Sequence, residues 1–141
     1  MNNNLPTLAA YQPRNEVNLV KCRLYPEKYP RIGETDHDAA VSRMVPLVWA
    51  AILYKGQDAS EQRIAYIAEC LVDEIMADDK LGLRSLSWEE IGITIRNAVL
   101  GVSGEMYGVS VATLYAALAA YAKNEGHQAE LKAGDIRRTQ K

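Results

Sequence analysis

From residue 41 onward, apolar positions recur at intervals of three and four, the spacing that lines one face of an α-helix. Val41, Met44, Val45, Val48 and Ile52 form the first stripe and predict a helix running to about Tyr54. Thr35 and Asp36 are suitable N-caps ahead of it, and Asp38 suits the positive end of its dipole. Pro46 falls inside this helix, where it removes the bond to the Ser42 carbonyl, so a kink is expected. Lys55-Gly56 ends it. The second stripe, Ile64, Ile67, Ala68, Leu71, Val72, Ile75 and Met76, is uninterrupted. Asp58 or Ser60 caps it, Glu61, Arg63, Glu69, Asp73 and Glu74 make its charged side, and Asp78-Asp79-Lys80 closes it. After a short link, Ser87-Trp88-Glu89-Glu90 has the form of a capping box. It opens a third helix through Ile91, Ile95, Ala98 and Val99 that stops at Gly101. Ser110 caps the last helix, Val111 to about Asn124, striped by Leu114, Tyr115, Leu118 and Tyr121 and stopped at Gly126.

The first 34 residues read differently. Four of the five prolines (Pro6, Pro13, Pro26 and Pro30) fall there, and each fixes φ and removes a backbone donor, which excludes a long helix. Val17, Leu19, Val20, Cys22 and Leu24 fit a short strand or one helical turn equally well. No internal repeat is visible, and no strand alternation of useful length follows residue 35. The expected fold class is all-α. It comprises a compact bundle of about four helices over residues 35–125, an extended basic Pro-rich arm over 1–34, and a polar tail over 126–141 that frays from about His127.

Composition agrees with one soluble globular domain: 141 residues, 48% apolar and 24% charged, with no need of a staple at this length. The net charge of −2 conceals an uneven distribution. Residues 1–33 carry five basic against two acidic residues, whereas residues 34–100 carry six against twelve. Cys22 and Cys70 lie far apart without a Cys-x-x-Cys, which indicates neither a zinc site nor a disulfide framework. The N-terminus lacks the basic and apolar regions of a signal peptide, and no apolar run reaches the roughly 18–20 residues of a membrane span. A cytoplasmic location is expected, or a virion-associated one for a phage structural component.

Candidate chemistry is sparse. Asp36-His37-Asp38 places three potential ligands in a row, but adjacent helical residues point about 100° apart and converge poorly on one ion. A capped helix start is the better reading. Glu69, Asp73 and Glu74 lie opposite the apolar stripe, as a solvated face or a surface for a basic partner, and not inward as a di-metal bundle requires. Residues 101–108 are glycine-rich but lack the Gly-Lys-Ser/Thr ending of a phosphate-binding loop. No Ser/His/Asp or Cys/His set stands out. No enzyme activity, cofactor, metal or small-molecule substrate is expected.

Tyr107-Gly108-Val109-Ser110, with Thr113, Leu114 and Tyr115 after it, is similar to the turn and second helix of a helix-turn-helix module. Gly108 would take the left-handed turn position, Val109 would be buried at the corner, and Leu114 and Leu118 would pack inward. Such a helix enters the major groove, although here its outer face offers Val111, Ala112, Thr113, Ala116, Ala117 and Ala120, without side chains suited to base edges. The stretch from Ile95 to Tyr121 also resembles a family of small uncharacterised helical proteins of gut Bacteroidales prophages and mobile elements. Arg96-Asn97-Ala98, Gly101, Gly104-Glu105-Met106-Tyr107-Gly108 and Tyr121 carry the resemblance. It departs from that pattern at Val102-Ser103, where a basic residue is usual, and in having no Trp after Trp88.

The resemblance implies an accessory protein of a phage or mobile element. Two expectations follow. One is a non-enzymatic nucleic-acid-associated adaptor, with Ser110, Val111 and Thr113 as recognition or docking contacts, Lys21, Arg23, Arg137 and Arg138 as phosphate contacts, and Gly101, Gly104 and Gly108 as structural turns. The other is a structural or assembly protein that binds protein subunits, or a second copy of itself, through the arm and the Ala-rich last helix.

Overall fold

In a computed structural model, the described residues are 22, 24, 25, 27–58, 60–102, 106–123, 133–136 and 138. Among them the chain is all-α, with four substantial helices and no strand. They are α1 (His37–Tyr54), α2 (Glu61–Ala77), α3 (Trp88–Val99) and α4 (Val111–Ala122). Two short 3-10 turns, Ile32–Glu34 and Leu83–Ser85, lie against each other beside the bundle. α1 packs chiefly on α2, and α4 packs on both α3 and α2. None of these helices is long and apolar enough to cross a membrane.

Each helix starts where a local hydrogen bond satisfies orphan backbone donors. The Asp36 carboxylate accepts from Ala39 N–H, Ser60 Oγ from Arg63 N–H, Ser87 Oγ from Glu90 N–H and Ser110 Oγ from Thr113 N–H. α3 ends in a Schellman turn. Val102 N–H reaches the Asn97 carbonyl, Gly101 N–H reaches that of Ala98, and Gly101 takes a left-handed φ of 78°. α1 runs on through Pro46, which is exposed, as is Ser42, so water can meet the carbonyl that the proline leaves without a donor.

The stripes meet in one core. Met44, Ile52, Leu71, Ile75, Ile91, Ile95, Leu114 and Leu118 are fully buried, each worth roughly 1.5–3 kcal/mol of transfer free energy. The core also takes in residues outside the expected bundle of 35–125. Ile32 is fully buried and Cys22 nearly so, with helical backbone at Cys22 and Leu24. The arm is therefore continuous with the bundle at its C-terminal end. Ile32 N–H donates to Leu86 O at 2.9 Å and Trp88 N–H to Pro30 O at 3.2 Å, which ties residues 30–32 to the start of α3. The Trp88 ring adds to the tie, donating from Nε1 to Thr35 Oγ1 at 3.1 Å and lying 4.9 Å beneath the Arg43 guanidinium.

The turn after α2 depends on one carboxylate. Asp78 accepts backbone N–H bonds from Lys80, Leu81 and Leu83 at 3.0–3.3 Å. Burial pushes its pKa up, but these amides, with that of Gly82, outweigh burial and hold it below the usual aspartate value. A depressed carboxyl contributes stability that is complete above its unfolded pKa and is lost as pH falls through the folded one. Asp78→Ala is expected to cost about 1–3 kcal/mol in urea unfolding near neutral pH. The gap from wild type should close as the titration is repeated toward acid, and a gap independent of pH would rule out the carboxylate as its source.

Candidate functional site

The link between α3 and α4, described at 100–102 and 106–110, meets the end of the bundle where α1 stops and α2 begins. Two side chains from that corner hold it. Gln57 Oε1 accepts from Val109 N–H at 3.0 Å, and Arg63 Nη2 donates to Val109 O at 3.2 Å. Val109 itself is buried, as expected for a corner residue. The links between α1 and α2 and between α3 and α4 therefore lie side by side.

Exposed apolar side chains gather at this end. Among the described residues eight large hydrophobic side chains are exposed, and five of them (Leu53, Tyr54, Leu100, Val102 and Tyr107) come from the last turn of α1 or from loop 100–110. Tyr107 is 86% exposed, so its ring makes little contact with its own chain. Ala112, Ala116 and Ala120, all exposed, continue along α4 as a shallow strip. Small side chains there let a second backbone approach closely.

The hydroxyls expected to make recognition contacts are occupied. Thr113 Oγ1 accepts from Ser110 N–H and donates to Gly108 O, both at 2.9 Å, while Ser110 Oγ accepts from Thr113 N–H at 3.1 Å. These bonds close a reciprocal cap at the start of α4, with Thr113 in the place usually held by Glu or Gln. Val111 is half-buried against the core. Gly108 corrects another expectation, since its φ is not positive. It packs beside Gln57, whose Nε2 would lie 2.9 Å from an added Cβ. Among the described residues of this loop, the glycine with a left-handed φ is Gly101. Eleven residues, 100–110, separate α3 from α4, against the 3–4 residues of a helix-turn-helix turn.

Arg138 is paired with Glu34, its Nη1 3.0 Å from Oε2. Lys21, Arg23, Gly104 and Arg137 lie outside the described residues.

Neither a protein-family model, nor a curated protein, nor a solved structure matches this chain.

Two polar arrangements were missed by sequence reasoning. His37 Nε2 lies 2.7 Å from Asp73 Oδ1, and hydrogen bonds to Asp73 and then Asp38 raise the His37 pKa above its ordinary value. Asp36 is the cap, as expected, and the histidine joins α1 to α2. No group of three or more His, Cys, Asp or Glu residues is placed to hold a metal among the described residues. The second arrangement is buried. Glu90, 1% exposed, accepts from Ser87 N–H and Ser87 Oγ at 3.1 Å through Oε1, and from Tyr121 OH at 2.7 Å through Oε2. The Ser87–Glu90 half is legible as a capping box, whereas the bond to α4 has no local signal. This arrangement fastens α3 to α4 inside the core.

Proposed function

We propose that this chain is a non-enzymatic adaptor that binds a protein subunit through the apolar end of its bundle, as an accessory protein of a phage or mobile element. The observation that carries the reading is the gathering of Leu53, Tyr54, Leu100, Val102 and Tyr107 beside the exposed alanines of α4. Tyrosine suits such a surface because it offers a large, stiff apolar ring with a polar tip that tolerates water before the partner arrives. Several large apolar side chains exposed at one end of a bundle suit a surface that a partner covers. The likeness of residues 95–121 to small prophage and mobile-element proteins supports the biological setting.

The nucleic-acid reading draws less support. Of its expected contacts, Ser110 and Thr113 have hydroxyls that serve the cap, Val111 is half-buried and Arg138 faces Glu34, while Lys21, Arg23 and Arg137 lie outside the described residues.

The test compares wild type with Tyr54→Ser/Tyr107→Ser in capture of partner proteins from the native host, with circular dichroism to establish that both are folded. Truncating two aromatic contacts should weaken capture by about tenfold or more. Added salt should leave it largely unchanged, since apolar contact is not screened. Capture that the double variant leaves untouched overturns the reading. So does tight binding of double-stranded DNA that collapses with salt.

A further inference from the structure

The C-terminal segment does not fray where it is described. Residues 133–136 are helical, Gly134 is buried, and two charged pairs fix the segment against the turn before α1. Asp135 Oδ1 lies 2.8 Å from Arg31 Nη2, and Arg138 Nη1 lies 3.0 Å from Glu34 Oε2. Acid and base stand three residues apart on the segment, and base and acid stand three apart on the turn. The charges are thus complementary in register.

The Arg31 side chain is only 11% exposed, and its Nη2 is closed to water without an acceptor in hydrogen-bond geometry. Asp135 compensates that buried cation by proximity alone. Glu34 is more open. Besides Arg138 it accepts the Arg31 backbone N–H through Oε1 at 3.2 Å, so it is already oriented when the segment arrives. Ala133 is exposed and Ile136 is about half exposed, its fractional exposure being 49%.

We infer that residues 133–136, with Arg138, form a releasable strap, docked on the Arg31–Glu34 corner by complementary charge and freed without unfolding the bundle. The Glu34–Arg138 pair is 43% exposed on both sides, and such pairs are individually weak and screened by salt, whereas the core beneath is apolar and is not. Release bares one cation and one anion on the corner and frees Arg138 from Glu34. The corner would then accept a segment with the same order of charges, acid followed three residues later by base, from a second copy of this chain. This inference does not depend on the proposed binding of a subunit at the opposite links.

The experiment follows amide hydrogen exchange at Gly134, Asp135 and Ile136 in the full chain by two-dimensional NMR, at low salt and at about 1 M salt, where the Debye length has shrunk to about 3 Å. Protection of these amides should fall at least about threefold with salt, and by a similar factor at low salt in Arg138→Glu, which puts two carboxylates face to face. Amides in α3 should keep their rates in both arms. Protection that survives either the salt or the charge reversal overturns the charge-docked strap. A segment already unprotected at low salt overturns it equally.

Discussion

Glu90→Ala should shift the midpoint of urea unfolding downward by the equivalent of about 2–4 kcal/mol, with the slope of the transition unchanged. Glu90 is 1% exposed, and its carboxylate takes hydrogen bonds that include two from Ser87 and one from Tyr121. A hydrogen bond to a charged group contributes roughly 1.5–3 kcal/mol. Removing the side chain also strands the Ser87 N–H at a helix start that water does not reach, since Ser87 is itself buried. The loss stays below the sum of these bonds because burying a carboxylate is costly in the first place, and its removal recovers part of that cost. Tyr121→Phe removes one of the bonds and keeps the ring, so about 1–2 kcal/mol is expected. Combined with Glu90→Gln, it should destabilise by less than the two single changes together, because both act on one contact. A wild-type midpoint for Glu90→Ala would show that the buried carboxylate does not fasten α3 to α4.

This pair also marks how far the sequence is legible. A capping relation spans three residues on one element, so Ser87 and Glu90 identify each other before any fold is known. The four helices were equally readable, since a stripe of apolar residues needs only its own periodicity. Tyr121 differs: its ring belongs to the apolar stripe of α4, and nothing local indicates where its hydroxyl points. The same limit conceals His37–Asp73, Arg31–Asp135 and Glu34–Arg138, each joining residues far apart along the chain. Charge counted segment by segment made the arm and tail look like free cations, whereas Arg31 and Arg138 have acidic partners within the fold. The apolar end of the bundle escaped for a related reason. Leu53 and Tyr54 lie at the limit of the first stripe, Tyr107 sits in a loop, and helical periodicity says nothing about which loop residues meet a helix end.

The glycines sharpen the point, and they supply the other large expected effect. Gly108 stands before a serine cap in a turn-like stretch, so sequence logic marks it as the sensitive position. Gly33, in an unremarkable Ile-Gly-Glu, draws no notice. The structure reverses their rank. A Cβ on Gly33 would lie 2.7 Å from the Arg84 carbonyl oxygen and 2.9 Å from the Arg84 Cβ. Neither atom can swing aside as a side-chain tip can. The two 3-10 turns are held at this separation by Ile32 N–H to Leu86 O and Trp88 N–H to Pro30 O. Gly33→Ala must therefore push the turns apart and loosen the fully buried Ile32 and Leu83, an overpacking penalty of about 1–3 kcal/mol, and Gly33→Val should exceed it. A Cβ on Gly108 meets only Gln57 Nε2 at 2.9 Å, the end of a flexible side chain. If Gln57 turns away, the chain loses its bond to Val109 N–H, so Gly108→Ala should cost about 1 kcal/mol or less. Thermal unfolding of the two alanine variants side by side decides the matter. If Gly108→Ala melts below Gly33→Ala, the close approach of the 3-10 turns is not what requires glycine at position 33.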